Sequence, residues 1–122
     1  RIITVIGQAG ERDTSKRKTV GSIVAKNSDI AIFCYEDPRG EDPKDIIDMM
    51  CEDIRDMDNY KIIIDRSEAI GYAIDIAQDG DMVLILGKGN ETYQKMKAGE
   101  IYFNDEEEAI KYLDKKMNKV LI

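Results

Sequence analysis

Two hydrophobic periods alternate along this chain, and that alternation limits its fold more than any other feature. Ile2–Ile6, Ile30–Tyr35, Tyr60–Ile64 and Met82–Leu86 are short, mostly apolar runs rich in β-branched residues, the pattern of strands buried on both faces. Segments with helical spacing lie between them. The first helix is expected over Lys16–Asn27, with Val20, Ile23 and Val24 on its inner face. The second starts at Asp42-Pro43, an N-cap followed by proline where the missing N–H costs nothing. It is expected to reach Met57, burying Ile46, Ile47, Met50, Ile54 and Met57. Ser67 is read as the cap of a third helix carrying Ala69, Ile70, Ala73, Ile74 and Ala77, stopped by Asp79-Gly80. Ile101–Phe103 reads as a short fifth strand, and Asp105 with Glu108 as a capping-box-like start. The last helix is expected to bury Ala109, Ile110, Leu113 and Met117, with Val120–Ile122 a tail or final strand. Parallel strands need helical crossovers, so the expected fold is α/β. It is a Rossmann-like three-layer domain, with a mostly parallel sheet flanked by helices, spanning residues 1–122.

With 122 residues the chain suits one domain. Its 18 basic and 25 acidic residues leave a net charge of −7. That balance argues against nucleic-acid and anionic-membrane partners, which need a basic surface. The sequence has no histidine. This excludes Ser-His-Asp and Cys-His nucleophile systems within the chain, and any His-ligated metal. Cys34 and Cys51 stand in apolar surroundings without a CxxC pattern, so they read as reduced, buried thiols of a cytoplasmic protein. No run reaches the ~18 apolar residues of a membrane span. The chain opens with Arg1 and runs directly into a core strand, as expected of a piece of a longer protein.

Ligands of open parallel sheets bind beyond the carboxyl ends of the strands. Three unusual segments fall there: Gly7–Asp13, Glu36–Arg39 and Gly87–Glu91. Together they set Arg12, Arg39 and Lys88 against Asp13, Glu36, Asp37 and Glu91, a mixed-sign cluster suited to a zwitterion. Each piece also has a plainer reading. The Gly7/Gly10 spacing serves any tight strand-to-helix turn, and Glu36-Asp37-Pro38-Arg39 alone reads as a solvated turn. Gly87-Lys88-Gly89 lacks the GxxxxGK[ST] frame of a phosphate cradle. Lys16-Arg17-Lys18 opposes the dipole at a helix start, which points either to phosphate attraction or to a solvated basic face.

The order of these motifs carries more than any one of them. They read Gly10-Glu11-Arg12-Asp13-Thr14-Ser15-Lys16-Arg17, then Glu36-Asp37-Pro38-Arg39-Gly40-Glu41-Asp42-Pro43, then Gly87-Lys88-Gly89-Asn90-Glu91-Thr92-Tyr93-Gln94. In that order and at those places, spanning nearly the whole chain, they resemble the C-terminal domain of the Mur ligases. Within them, the UDP-N-acetylmuramoyl-tripeptide synthetases (MurE type) match best. Glu36-Asp37 stands where that family has Asp-Asn, Asn90 where it has histidine, and Lys18 where proline is common.

The resemblance implies a ligase that uses ATP and Mg²⁺ to turn the carboxylate of a UDP-MurNAc-dipeptide into an acyl phosphate, which an incoming amino acid then attacks. It also implies two upstream domains carrying the UDP site, the P-loop and the metal, with no catalytic residue or metal ligand in this chain. By the same resemblance Arg12, Glu36, Asp37, Pro38, Arg39, Gly87 and Glu91 would bind the amino acid, while Asp13, Lys16 and Arg17 would approach the ATP phosphates. Arg39 suits the distal carboxylate of meso-diaminopimelate, whereas the added charge of Asp37 favours an ammonium and hence L-lysine. The resemblance further implies a bacterial, cytoplasmic role in peptidoglycan biosynthesis. Two alternatives stand beside it: a free-standing, non-catalytic small-ligand-binding domain, or the C-terminal domain of a cyanophycin- or folylpolyglutamate-synthetase-type ligase. A receiver domain fits worse, because Gly7-Gln8 follows the first strand where an acidic pair is needed.

Overall fold

The computed structural model describes residues 1–121, with side chains through residue 118. Four strands, β1 (Ile2–Ile6), β2 (Ile30–Phe33), β3 (Tyr60–Ile62) and β4 (Met82–Leu86), form one wholly parallel sheet in the order β3-β2-β1-β4. Helices α1 (Arg17–Asn27) and α2 (Pro43–Met50) cover one face, and α3 (Arg66–Ile76) and α4 (Asp105–Leu121) the other. Alternate strand residues feed the two cores: Ile3, Val5 and Ile32 pack toward α3, while Ile6, Ala31 and Phe33 pack toward α1 and α2. The expected three-layer α/β fold is the one observed.

Several boundaries differ, each for a local reason. Helix α2 stops at Met50 rather than Met57. Asp53, Asp56 and Asp58 follow, and acidic residues disfavour the negative end of a helix. Ile54 still reaches the core through a tight turn in which its N–H donates to the Cys51 carbonyl at 3.1 Å. Asp65, not Ser67, caps α3: its carboxylate accepts from the Glu68 N–H at 3.0 Å. The expected lone strand at Ile101–Phe103 is half of an antiparallel hairpin, β5 (Tyr93–Met96) with β6 (Gly99–Tyr102). Of the Val120–Ile122 segment, helix α4 takes in Val120 and Leu121, while Ile122 lies outside the described residues.

Two helices present the expected faces only in part. In α1, Val20 and Val24 pack on the core as expected, but Ile23 is 56% exposed, and Arg17, Gly21 and Ala25 turn fully inward. A Cβ on Gly21 would lie 1.8 Å from the Met50 carbonyl oxygen, so the α1 backbone sits directly on the end of α2. Gly21→Ala is therefore expected to cost about 1–3 kcal/mol or more through overpacking, read as a lower midpoint in urea unfolding. In α4, Ile110, Leu113 and Met117 are 47–57% exposed. Leu113 and Met117 line, with Val83 and Ile85 of the edge strand β4, a groove left open to solvent. Ala109 packs on the core as expected, and α4 otherwise rests mainly on α3: Tyr112 fills the space beside Gly71, and the Lys116 ammonium donates to the Ile74 carbonyl at 2.6 Å.

Candidate amino-acid site

The three motif loops meet at the carboxyl edge of the sheet. The Gly10 N–H donates to the Asp37 carbonyl at 2.8 Å, and Arg39 Nη1 donates to the Gly10 carbonyl at 2.9 Å. Glu11 Oε1 accepts from the Gly40 N–H at 2.6 Å, and the Glu11 N–H donates to Glu41 Oε1 at 3.0 Å. Both Glu11 and Arg39 adopt positive φ, 54° and 53°. Non-glycine residues take that conformation at a cost, which these cross-loop bonds offset.

The third motif joins through a buried ion pair. Lys88 Nζ donates to Asp37 Oδ1 at 2.7 Å and to Glu91 Oε1 at 3.0 Å, with the Lys88 side chain fully buried and that of Asp37 7% exposed. Burial works against the ammonium, but the hydrogen bonds to Asp37 and Glu91 outweigh it and hold the Lys88 pKa above the ordinary lysine value. Asp37 Oδ1 also accepts from the Lys95 N–H at 3.2 Å. The extra negative charge expected to draw an ammonium to Asp37 is thus already matched by Lys88.

Glu36 is left in a different state. Its carboxylate has no hydrogen bond among the described residues, and it lies against Gly87, where a Cβ would come within 2.8 Å of Oε2. Gly87 has φ 110°, so any side chain there would be both strained and in collision with Glu36. Burial, aided by Asp37 and Glu91, pushes the Glu36 carboxyl up to about 7 against the pull of Arg66 and Lys88. The folded chain therefore binds more protons here than the unfolded one between the ordinary glutamate value of 4.5 and about 7. Stability that Glu36 contributes is fully present below that window and falls as pH rises through it. Glu36→Gln is expected to gain on the unsubstituted chain between pH 5 and pH 8, measured by chemical unfolding at both. A constant difference would contradict the assignment.

The other expected residues divide. Pro38 is buried in the second loop, and Gly87 and Glu91 sit beside Glu36 and Lys88 as described. Arg12, Asp13 and Lys16 are exposed, and Arg12 has no ion-pair partner among the described residues. Arg17, expected to approach phosphates, is 1% exposed and turned inward. Its guanidinium grips Glu41 through Nη1 at 2.6 Å and Nη2 at 2.9 Å, and donates to the Ala9 carbonyl at 3.1 Å. The Arg17 hydrogen bond, then that of the Glu11 N–H, holds Glu41 down to about 2. Arg17 thus builds the loop, and Arg12 and Lys16 are its outward cations. Burial pushes the Cys34 and Cys51 thiols up to about 12 and 11, so both are protonated, inert core groups.

Two structural contributors escaped the sequence reading. The β5–β6 hairpin braces the site: the buried Gln94 donates from Nε2 to the Glu36 carbonyl at 3.0 Å, and the Arg39 N–H donates to the Lys95 carbonyl at 2.8 Å. Arg66 and Asp105 form a fully buried pair beneath the loops, Nε to Oδ1 at 2.8 Å. The alternation Tyr93-Gln94-Lys95-Met96 was the one signal for the hairpin. Among the described residues no Cys, Asp or Glu cluster is arranged to hold a metal, and no helix is long and apolar enough to cross a membrane.

A parallel sheet between two helix pairs, with charged loops gathered at its carboxyl edge, defines a Rossmann-like α/β ligand-binding domain. The family model described as "Mur ligase, glutamate ligase domain" matches residues 1–89, and the chain belongs to that family. It is 47% identical over 107 residues to the UDP-N-acetylmuramoyl-L-alanyl-D-glutamate--2,6-diaminopimelate ligase of Chlamydia abortus, covering 88% of this chain and 22% of that protein. The ligase of the same description from Clostridioides difficile is 42% identical over 116 residues, covering 94% of this chain and 24% of that protein. A solved structure of a ligase so described superposes with a TM-score of 0.90 at 32% identity, over 95% of this chain and 24% of the other. The chain thus spans about a quarter of the length of the relatives it matches.

Proposed function

We propose that this chain is the amino-acid-delivering domain of an ATP-dependent ligase that adds meso-diaminopimelate to a UDP-MurNAc-dipeptide in the bacterial cytoplasm. The observation that carries this reading is the division of charge at the sheet edge. Lys88 satisfies Asp37 and Glu91, leaving the half-buried Glu36 carboxylate free beside Gly87, with Arg39 and Arg12 as the cations of the same loop cluster. An amino acid bearing a second ammonium and a second carboxylate at one end meets both requirements. In this reading Glu36 takes the ammonium with Glu91, held on Lys88, beside it, Arg12 and Arg39 take the distal carboxylate, and Pro38 and Gly87 shape the floor.

The guanidinium fork suits a carboxylate, and lysine offers none at that end. Asp13 and Lys16, exposed just before α1, would approach the nucleotide phosphates, while ATP and Mg²⁺ themselves would be held by domains outside this chain. When bound, ATP supplies the phosphoryl group that activates the dipeptide carboxylate. What this chain adds is placement of the attacking amine, and placement supplies much of the rate of such a bimolecular step. The relatives' description as 2,6-diaminopimelate ligases supports the acceptor.

The test is phosphate release by the full ligase given ATP, Mg²⁺, the UDP-MurNAc-dipeptide and one amino acid at a time. Release with meso-diaminopimelate and not with L-lysine is expected. Release with lysine alone, or with neither, would overturn the reading.

A further inference from the structure

The site loops leave β2 and β4, which are not neighbours: β1 lies between them, so no ladder bond sets the distance from one loop to the other. Two side chains span that gap: Lys88, on Asp37 at the loop tips, and Arg66, beneath them. Arg66, the first residue of α3 and wholly buried, donates from Nη2 to the Leu86 carbonyl at 3.0 Å and from Nη1 to the Tyr35 carbonyl at 3.4 Å. Those carbonyls belong to the residues directly before Gly87 and Glu36. The outer side of the fork is fixed by Asp105, the first residue of α4, whose Oδ1 and Oδ2 accept from Nε and Nη2 at 2.8 Å each. Burial opposes the Arg66 charge, but the Asp105 hydrogen bond prevails and keeps its pKa above the ordinary value, so the fork is permanently charged.

Resting on the reading that these loops hold the amino acid, we propose that Arg66 is a positioning residue for that site. Its planar fork sets the spacing between the Glu36–Arg39 loop and the Gly87–Glu91 loop, and Asp105 sets the fork. A rigid fork can serve the carboxylate and two carbonyls at once, whereas the compact ammonium of lysine on a flexible stem cannot hold the same three at those angles. Arg66 touches no substrate in this account. It acts by keeping Glu36 against Gly87.

The test compares the unsubstituted chain with Arg66→Lys and with Ile54→Ala, a cavity in the opposite core layer that lowers stability without touching either loop. Two quantities are read: the NMR affinity for meso-diaminopimelate, and the proton–proton contact between Gly87 and the Glu36 side chain. Arg66→Lys is expected to lose the contact and to bind about tenfold more weakly or worse, while Ile54→Ala keeps both. An Arg66→Lys chain that keeps them, or an Ile54→Ala chain that loses them equally, would overturn the proposal. If Arg66→Lys does not fold, Asp105→Asn takes its place with the same losses in smaller measure, and an unchanged contact there overturns it. Should the unsubstituted chain bind no meso-diaminopimelate, the substrate reading fails and the contact alone decides: lost only on disturbing Arg66 or Asp105 it supports the proposal, and retained it overturns it.

Discussion

Lys88→Met is expected to destabilise the chain by about 3–5 kcal/mol, the cost of stripping the partner from a buried charge. The Asp37 carboxylate is 7% exposed and would keep only the Lys95 N–H among its present donors, while Glu91, at 40%, can turn to water. Most of the loss therefore falls on Asp37. One feature separates this origin from a simple loss of packing. The double variant Lys88→Met with Asp37→Asn should recover a large part of the loss, because a neutral amide costs far less to leave unpaired than a carboxylate. Urea unfolding of the two single variants and the double variant measures this as a coupling energy; additive losses would contradict it. In the ligase, the same substitution leaves Asp37 as an unmatched anion beside Glu36, so L-lysine should gain on meso-diaminopimelate as acceptor.

If the proposed function holds, Arg39→Ala costs the full ligase about 2–4 kcal/mol of preference for meso-diaminopimelate over lysine, the scale of a lost charge-assisted pair. The backbone lets this functional loss be separated from damage to the loop. Arg39 sits at φ 53° and gives its Nη1–H to the Gly10 carbonyl at 2.9 Å. Alanine loses that bond and keeps the strain, whereas glycine loses the bond and relieves the strain. Arg39→Gly should accordingly be more stable than Arg39→Ala by about 1 kcal/mol. The two variants should nevertheless lose the same selectivity. Competition between the two amino acids in one reaction, compared across both variants, checks it. A selectivity that tracked stability would make Arg39 a loop-building residue only.

How much of this was legible in the sequence follows from what each feature depends on. The four core strands and the helices between them rest on local periodicity and occur in the expected order, though β2 stops at Phe33, β3 at Ile62 and α2 at Met50, short of the expected ends. The gathering of Gly10, Asp37, Arg39 and Lys88 was legible for the same reason: parallel strands deliver all their carboxyl ends to one edge. What periodicity cannot convey is which charge meets which. Arg17 and Lys16 are adjacent in sequence, yet one is buried on Glu41 and the other faces water. Asp37 reads as a lure for ammonium until Lys88, 51 positions away, is found on it. Arg66 carries no local mark at all, since its partners are the carbonyl of Leu86 at the end of β4 and that of Tyr35 just beyond β2. The exposed face of α4 was misread because amphipathic spacing shows which side is apolar and not whether the groove beneath it is closed.

The measurement that tests the central claim most directly is an NMR titration of the labelled chain with millimolar meso-diaminopimelate, and with L-lysine in parallel. Shifts for meso-diaminopimelate alone, gathered on Arg12, Glu36, Arg39, Gly87 and Glu91, are the predicted result. Shifts for lysine alone, or shifts confined to residues away from these loops, would contradict it.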